Sequence, residues 1–551
     1  MKLFKNYKQD KNNLPSNKIW FGVLSGMLLG FSYPPIPFPF FIFFAFIPYL
    51  FELEKRESLV SINRLTYTFA FVLNVITLYW VGSWTKQADF FLMLSGGILL
   101  FFNPILYLIP STIYYLTKKF FNKKTALLLF PVFWITFEYA YTITEFRFPW
   151  LTLGNSLAYF TSFIQMADLI GVYGLSLFVL YINIVIYFVV KKYLAEKIVD
   201  KKSIIIASLL IMVPLIYGFY KIASYKESAK TINVGLIQPN LNPWAKWEAG
   251  STQTQLNIYL DLSKKAINKG AEYLFFPETA LPVYLLDGQH YRFVNQFYRF
   301  CDSNKVSIIT GMPHILYYYG KNNFPKNSKP TLNPNVNYTS FNSVMLFKPF
   351  DRRIDFYGKI MLVPFGEKVP LVEYIPFLGD LIKWEVGISS WNVGNDTVVF
   401  KVPNIDPAIK DTIKIASIIC IESIYPDFTA AFVKKGAQLI SVVTNDSWYG
   451  NSSGPYQHQA IGAIRAVENR RYVIRAANGG ISCIINPLGQ TIVKTKMFTK
   501  NYITGKVGVL NEMTFYTKFH NLIPVFAVFI TLIIIALSFL FMLKKILKIK
   551  D

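Results

Sequence analysis

A carboxylate, an ammonium and a thiol each close an apolar run in the second half of the chain: Glu278 in YLFFPETALP, Lys359 in FYGKIMLVPFGE and Cys420 in IKIASIICIES. Together they can carry out acyl transfer. A cysteine thiolate attacks, a carboxylate takes its proton, and a lysine holds the negative charge that develops on the carbonyl oxygen. Cys420 stands where buried-type residues give way to Glu-Ser-Ile-Tyr-Pro-Asp, so its thiol is expected at the junction of a strand and a polar turn. Glu278 ends YLFF ahead of a proline turn, a setting that suits a general base. Each also has a plain reading taken alone: a small buried hydrophobe for Cys420, a cap or solvated turn acid for Glu278, a surface lysine for Lys359.

The segment that carries them, 228–518, reads as α/β. TINVGLIQPN is an alternating β-branched strand, QTQLNIYLDLSKKAINKG has helical spacing and stops at Gly270, and YLFFPET follows as a second strand. Strands VSIITGMP, FNSVMLFK, TIKIASIICIES, QLISVVTN and YVIRAANGGISCIINP come later, with helical PDFTAAFVKKG among them. Strands alternating with helices predict an α/β sandwich, with reactive groups at strand ends converging along one edge.

The flanks are different. Hydrophobic residues make up 53% of the 551, concentrated in the first 220 or so and the last 30. Eight spans are expected, at 19–33, 36–53, 65–84, 90–116, 125–142, 162–190, 203–220 and 521–543, the first two short, separated by Pro34 and Pro35 and open to the alternative of a hairpin that spans imperfectly. This divides the chain into 1–227 (about seven transmembrane helices), 228–518 (the catalytic domain) and 519–551 (a last helix and basic tail). The Lys- and Arg-rich segments MKLFKNYKQDKNNLPSNK, ELEKRESLVSINR, TKKFFNKKT, KKYLAEKIVDKK and KKILKIKD alternate with PPIP, SWTKQAD and ITEFRFPWLTLGNS, which carry little positive charge. Positive loops stay cytoplasmic, so seven crossings put the domain on the opposite face, the periplasm of a bacterial cell. The net charge of +24 lies largely in those loops and tails, which argues against nucleic acid.

Three cysteines, Cys301, Cys420 and Cys483, make no disulfide scaffold, and four scattered histidines have no zinc spacing. No cofactor and no metal are expected. Within the spans, Glu138 is expected to pair with Arg147, and Asp168 to lie wet near the outer end of its helix. His458, Arg465, Glu468 and Arg471 read as a salt-bridge network on a helix.

FPETALP, FNS at 341–343, GKIMLVPFGEKVPL, CIES and TNDSWYGNSSGPYQHQAIGAIRAVENRRYVIRAANGG, with WITFEYAYTITEFRFPWLTLGNS in the spans, resemble the nitrilase superfamily. Within it they resemble the membrane-embedded apolipoprotein N-acyltransferase family. The resemblance implies a membrane helical bundle carrying a nitrilase-like αββα sandwich in the bacterial inner membrane. It implies that Glu278, Lys359 and Cys420 form a triad, and that Cys420 takes an acyl chain from a phospholipid such as phosphatidylethanolamine as a thioester. That chain then passes to the α-amine of a diacylglyceryl-cysteine lipoprotein, the enzyme acting as a monomer. Glu367 would orient Lys359 or the amine, Glu422 would lie beside the nucleophile, and Trp247 would stand at the substrate entrance. Asn445, Asp446, Trp448 and Tyr449 would line the acyl or headgroup pocket. Ile421 stands where the family commonly has tyrosine. The apolar stretch IPFLGDLIKWEVGISSW, with Phe377, Leu378, Leu381, Ile382 and Trp384, reads as a membrane-facing lid. The same triad would also serve a membrane-tethered amidase, which the set of spans disfavours. A binding module without catalysis is the other alternative, and it would tolerate loss of Cys420.

Overall fold

The computed structural model describes residues 18–85, 88, 90–244, 252–320, 324–371, 374, 391–404 and 411–547. Trp247 and the stretch 375–390 lie outside them. Among the described residues six helices are long and apolar enough to cross a membrane: Leu59–Gly82, Leu92–Phe120, Lys123–Ile143, Ala167–Glu196, Lys201–Ala223 and Leu522–Lys544. That is fewer than the eight expected, and the difference lies at the start of the chain. Segments 19–33 and 36–53 form an 11-residue helix, Trp20–Gly30, a 3-10 turn, Pro39–Phe43, and a nine-residue helix, Ile47–Lys55. Prolines 34, 35, 37, 39 and 48 deny the backbone the donors a continuous helix needs. At 1.5 Å per residue, neither short helix covers roughly 30 Å of hydrocarbon. They pack into the bundle instead: a Cβ on Gly26 would come within 2.6 Å of the Phe69 carbonyl, so only glycine permits that approach.

The sandwich consists of two sheets. The first has the order β13-β1-β2-β3-β5-β4, with β6 also on β5, where β1 is Thr231–Gln238, β2 Tyr273–Phe275, β3 Ser307–Tyr319, β4 Lys329–Pro330, β5 Val336–Lys348, β6 Asp351–Gly358 and β13 Asn501–Gly508. The second has the order β12-β11-β10-β9-β8-β7, where β7 is Val399–Pro403, β8 Thr412–Ile419, β9 Leu439–Thr444, β10 Val473–Ala477, β11 Cys483–Ile485 and β12 Thr491–Lys494. Side chains alternate across each strand, which produces the layers. Val234, Leu236, Tyr273, Phe275, Ile309, Val344 and Leu346 face the second sheet. Their neighbours Ile237, Leu274, Ile308, Met345 and Phe347 pack on Tyr259, Leu262 and Phe297 of helices Thr252–Ile267 and Tyr291–Asn304. Helices Pro426–Lys434 and Ser453–Asn469 cover the other side, completing the αββα layers.

Helix Ser453–Asn469 is also the joint with the membrane bundle, buried at every position but Tyr456 because it lies between the second sheet and helix Ala167–Glu196. Beside it Asp168, expected to be wet, is buried and pairs with Arg470 at 2.7 Å and Lys221 at 3.2 Å. Glu138 does not pair with Arg147: its Oε1 accepts from Trp134 Nε1 at 3.1 Å and Leu153 N at 2.8 Å, closing the span onto the loop that follows it.

Candidate active site

Strands β1, β2 and β3 run parallel in one sheet, and β8, β9 and β10 in the other. Ligands collect beyond the carboxyl ends of such strands. Glu278 follows β2, Lys359 follows β6, Cys420 follows β8, and the turn Asn445–Tyr449 follows β9, so the expected residues meet at one end of the sandwich. The close passage of the Glu278 loop over β3 requires Gly311, where a Cβ would lie 2.6 Å from the Glu278 Cα. Ala280 N donates to the Gly311 carbonyl at 2.7 Å and fixes the loop there.

Lys359 lies buried between two carboxylates, 2.8 Å from Glu367 and 3.4 Å from Glu278. Asn342, in FNS, donates to Glu278 at 2.7 Å and to Glu367 at 3.0 Å, and Val363 N donates to Glu367 at 2.9 Å. Burial by itself would pull the ammonium down, but Glu367 and then Glu278 outweigh it and hold Lys359 well above the ordinary lysine value. Glu367 lies against Lys359, one of the two groups it was expected to orient. Asn342 is a site residue whose part the sequence did not reveal, because an asparagine within a strand motif carries no sign of its partners.

Cys420 opens a 3-10 turn, Cys420–Ile424, with φ +50°, a left-handed conformation unusual for a side chain of this kind and typical of functional turns. Burial raises its thiol well above the ordinary cysteine value, with Glu278 adding to the effect and Lys359 opposing it. The resting sulfur is therefore protonated and needs a base. Glu422 does not line the cavity. It is fully buried and accepts from Tyr357 Oη at 2.6 Å, Ile360 N at 2.7 Å, Met361 N at 3.1 Å and Ile419 N at 2.8 Å. Burial pushes it up to about 7 against the pull of those donors. Its part is to pin the Lys359 loop to the Cys420 strand.

His458 leaves the network expected for it. Arg465 and Glu468 do pair, at 2.7 Å, whereas Arg471 binds backbone carbonyls of Ala437, Asn469, Arg470 and Glu512. His458 lies under Cys420: its Nδ1 meets Asp446 at 2.8 Å, its Nε2 meets Ser423 Oγ at 2.8 Å, and Arg475 pairs with Asp446 from behind. Arg475 and His458 hold Asp446 well below the usual carboxylate range against its burial, and burial holds His458 below its ordinary value. Cys420, Asp446 and His458 offer atoms within 4.8 Å of one another, a spacing that invites a metal. The guanidinium on Asp446 and the hydrogen bonds at both His458 nitrogens suit a protonic cluster better, because a cation would have to displace all of them.

These groups open into a cavity of about 400 Å³. At one end it is lined by Glu278, Lys359, Cys420, Ile421, Asn445 and Trp448; at the other by Leu94, Ile98 and Phe102 of helix Phe90–Leu106, which are 47%, 58% and 41% exposed on its outer face. Trp80 and Trp150, joined through Gln457 Oε1 at 3.1 and 2.8 Å, form its wall where bundle and sandwich meet. An apolar channel thus runs from the thiol to a face of the bundle that hydrocarbon would cover.

Two family models match the chain: the apolipoprotein N-acyltransferase N-terminal domain over residues 25–185 and carbon-nitrogen hydrolase over residues 233–509. The chain is 31% identical to an apolipoprotein N-acyltransferase of Chlorobaculum tepidum over 529 residues, 94% of this chain and 96% of that protein. It is 30% identical to apolipoprotein N-acyltransferases of Geobacter metallireducens, over 96% of this chain and 97% of that one, and of Rickettsia typhi, over 94% and 97%. With a sandwich domain joined to a bundle of membrane-length helices, the chain belongs to the apolipoprotein N-acyltransferase family and is a multi-pass membrane acyltransferase.

Proposed function

We propose that the chain transfers a fatty acyl group from a phospholipid, phosphatidylethanolamine in the first instance, through a Cys420 thioester to the α-amine of a diacylglyceryl-cysteine lipoprotein. Glu278 takes the proton from Cys420. The transfer shifts one negative charge from carboxylate to sulfur without creating a new one, and Lys359 stands beside both. The thiolate attacks the ester carbonyl. Lys359 and the backbone N–H of Ile421, in the first turn after the nucleophile where helical N–H groups lack internal partners, hold the oxyanion. The lysophospholipid leaves with the proton from Glu278. The lipoprotein amine then attacks the thioester and Glu278 takes its proton in turn. Glu367 and Glu422 position Lys359, Asn445 and Trp448 line the pocket, and Trp247 serves the entrance. The protein works as a monomer, with 1–227, 228–518 and 519–551 as its three parts.

The observation that carries this reading is the single cavity joining the thiol to the outer face of helix Phe90–Leu106. An amidase for small soluble amides has no use for such a channel. Charge supports the inner membrane with the sandwich on the periplasmic side. Lys118 touches the Glu54 and Arg56 carbonyls, Lys123 pairs with Glu57 and Lys191 with Glu54, gathering the basic loops at one end of helix Leu59–Leu78. At its other end Trp80 and Ser83 bind Gln457 and Trp448 of the sandwich. Positive loops at one end and the catalytic domain at the other fit the retention of positive charge in the cytoplasm.

The test is to incubate the purified protein with phosphatidylethanolamine, detect the acyl mass adduct on Cys420, and discharge it with a diacylated lipopeptide. Intact, lipid-supplied protein that forms no adduct would overturn the mechanism.

A further inference from the structure

Trp244 and Trp448 meet edge to face in the cavity wall that they share with Cys420, their ring centroids 4.8 Å apart and their planes at 89°. They reach that contact from different sheets. Trp244 stands in the turn that follows β1, its N–H donating to Asn242 Oδ1 at 3.0 Å, and Trp448 stands in the turn that follows β9.

Asn478, at the carboxyl end of β10, joins the two turns. It is fully buried, and its backbone N–H donates to the Thr444 carbonyl at 3.2 Å, which anchors it at the end of β9. Its Oδ1 accepts from Leu241 N at 3.0 Å, and its Nδ2 donates to Leu241 O at 2.7 Å. A backbone N–H only donates and a carbonyl only accepts, so this pair fixes which way the amide points. The second Nδ2 hydrogen is shared between Asn445 Oδ1 at 3.1 Å and Ser447 Oγ at 3.3 Å, while the Ser447 hydroxyl donates to Asn445 Oδ1. Both hydrogens and the oxygen of one amide are thus engaged. Aspartate and serine, of similar reach, lack the two donors. Gly479 completes the junction: a Cβ there would lie 2.9 Å from Asn240 Oδ1 and 3.1 Å from the Ser447 Cβ, so the two turns close over a residue that has no side chain.

On the acyl-transfer reading above, we propose that Asn478 is a positioning residue: by binding Leu241 and the Asn445–Ser447 turn with one amide, it sets the Trp244–Trp448 pair as the wall against which the acyl chain lies beside Cys420. Asn478 stands behind that wall and makes or breaks no covalent bond. It acts on the shape of the reaction end, where a displacement of about 1 Å can cost a factor of about 10². Trp448 is also held from the bundle, its carbonyl accepting from Ser83 Oγ at 2.6 Å. Loss of the amide therefore releases chiefly the Trp244 side, and the effect of Asn478 runs through Trp244.

Asn478→Ala, Trp244→Ala and the double variant are compared with the unaltered full-length protein in lipid nanodiscs. Three rates are followed: Cys420 alkylation by iodoacetamide, alkylation by its N-hexadecyl derivative, which must seat a chain in the cavity, and thioester formation from phosphatidylethanolamine. Asn478→Ala is expected to keep the first within about twofold and to lose between about tenfold and about 10²-fold in the other two. Trp244→Ala is expected to show the same pattern, and the double variant to react no more slowly than Trp244→Ala does, because residues that act through one another do not add. An asparagine that only braces the fold would slow all three reactions alike, or would multiply the loss caused by Trp244→Ala. Either result overturns the proposal, and so does an Asn478→Ala or Trp244→Ala protein that takes the hexadecyl chain as fast as the unaltered one. Where the alanine variant does not fold, Asn478→Ser replaces it, since a hydroxyl has one hydrogen for two turns. Should the unaltered protein alkylate but form no thioester, the acyl-transfer reading fails while the two alkylation rates still decide the role of Asn478.

Discussion

Glu367→Gln removes a charge from the site while keeping the shape of the side chain and an oxygen for Lys359 and Val363 N. At 2.8 Å and an effective dielectric constant of about 20, Glu367 attracts the Lys359 ammonium by about 6 kcal/mol, and Glu278 at 3.4 Å by about 5 kcal/mol. The two carboxylates share the lysine almost evenly, which keeps it from closing onto Glu278. Without the Glu367 charge, Lys359 moves onto Glu278, and closing to 2.8 Å strengthens that pair by about 1 kcal/mol. Glu278 becomes a poorer proton acceptor by a factor of roughly five. The ammonium also leaves the place where the oxyanion forms, and losing one such donor costs a factor of about 10² to 10³. Thioester formation from phosphatidylethanolamine, followed by mass spectrometry in a single turnover, should therefore fall between about 5-fold and about 10³-fold. Iodoacetamide alkylation, which needs no oxyanion, should fall only by the smaller factor. A Glu367→Gln protein that acylates within twofold of the unaltered rate would refute the idea that the second carboxylate sets the position of Lys359.

Glu422→Gln has a different signature, because the carboxylate serves four donors away from the cavity. An amide turns a donor toward one or more of them, so the protein should lose about 1–3 kcal/mol of stability, visible as a lower unfolding temperature. His458→Gln tests the buried imidazole. The unfolded ring binds a proton near pH 6.5, whereas the folded one is held below that, so its stabilising part is complete above about 6.5 and is lost as the pH falls toward the folded value. The unfolding temperature of the unaltered protein should drop as the pH falls below about 6.5, and that of His458→Gln should drop less. Ile98→Trp crowds the exposed end of the cavity, far from the thiol in the chain but continuous with it in space. It should slow acylation by phospholipid severalfold and leave iodoacetamide alkylation unchanged; equal slowing of both would argue against lipid entry past this helix.

The division into apolar spans and an α/β block was legible because both follow from local periodicity: runs of about 20 apolar residues on one hand, and strands alternating with helices on the other. That Glu278, Lys359 and Cys420 meet at one end of the sandwich was legible from the apolar runs they close and the phrases they belong to. For the first two segments the prolines left open either two spans or a hairpin that spans imperfectly, and the structure has two short helices joined by a 3-10 turn. The partners of Glu138, Asp168 and His458 were misjudged because ion pairing depends on which surfaces meet. Asp168 finds Arg470 some three hundred residues away, across the joint between bundle and sandwich.

Residue types and their order thus determined that the chain holds membrane-length helices, an α/β sandwich domain and a carboxylate, an ammonium and a thiol at the ends of apolar runs, because these are properties of short segments. Tertiary structure alone decided that Glu367 shares Lys359 with Glu278, that Glu422 works as a pin, that His458 lies under Cys420, and that the cavity is lined by helix Phe90–Leu106. Those are contacts between segments 8 to more than 300 residues apart. They are made by packing, which brings strand ends from two sheets and one membrane helix to a common point that no local pattern encodes.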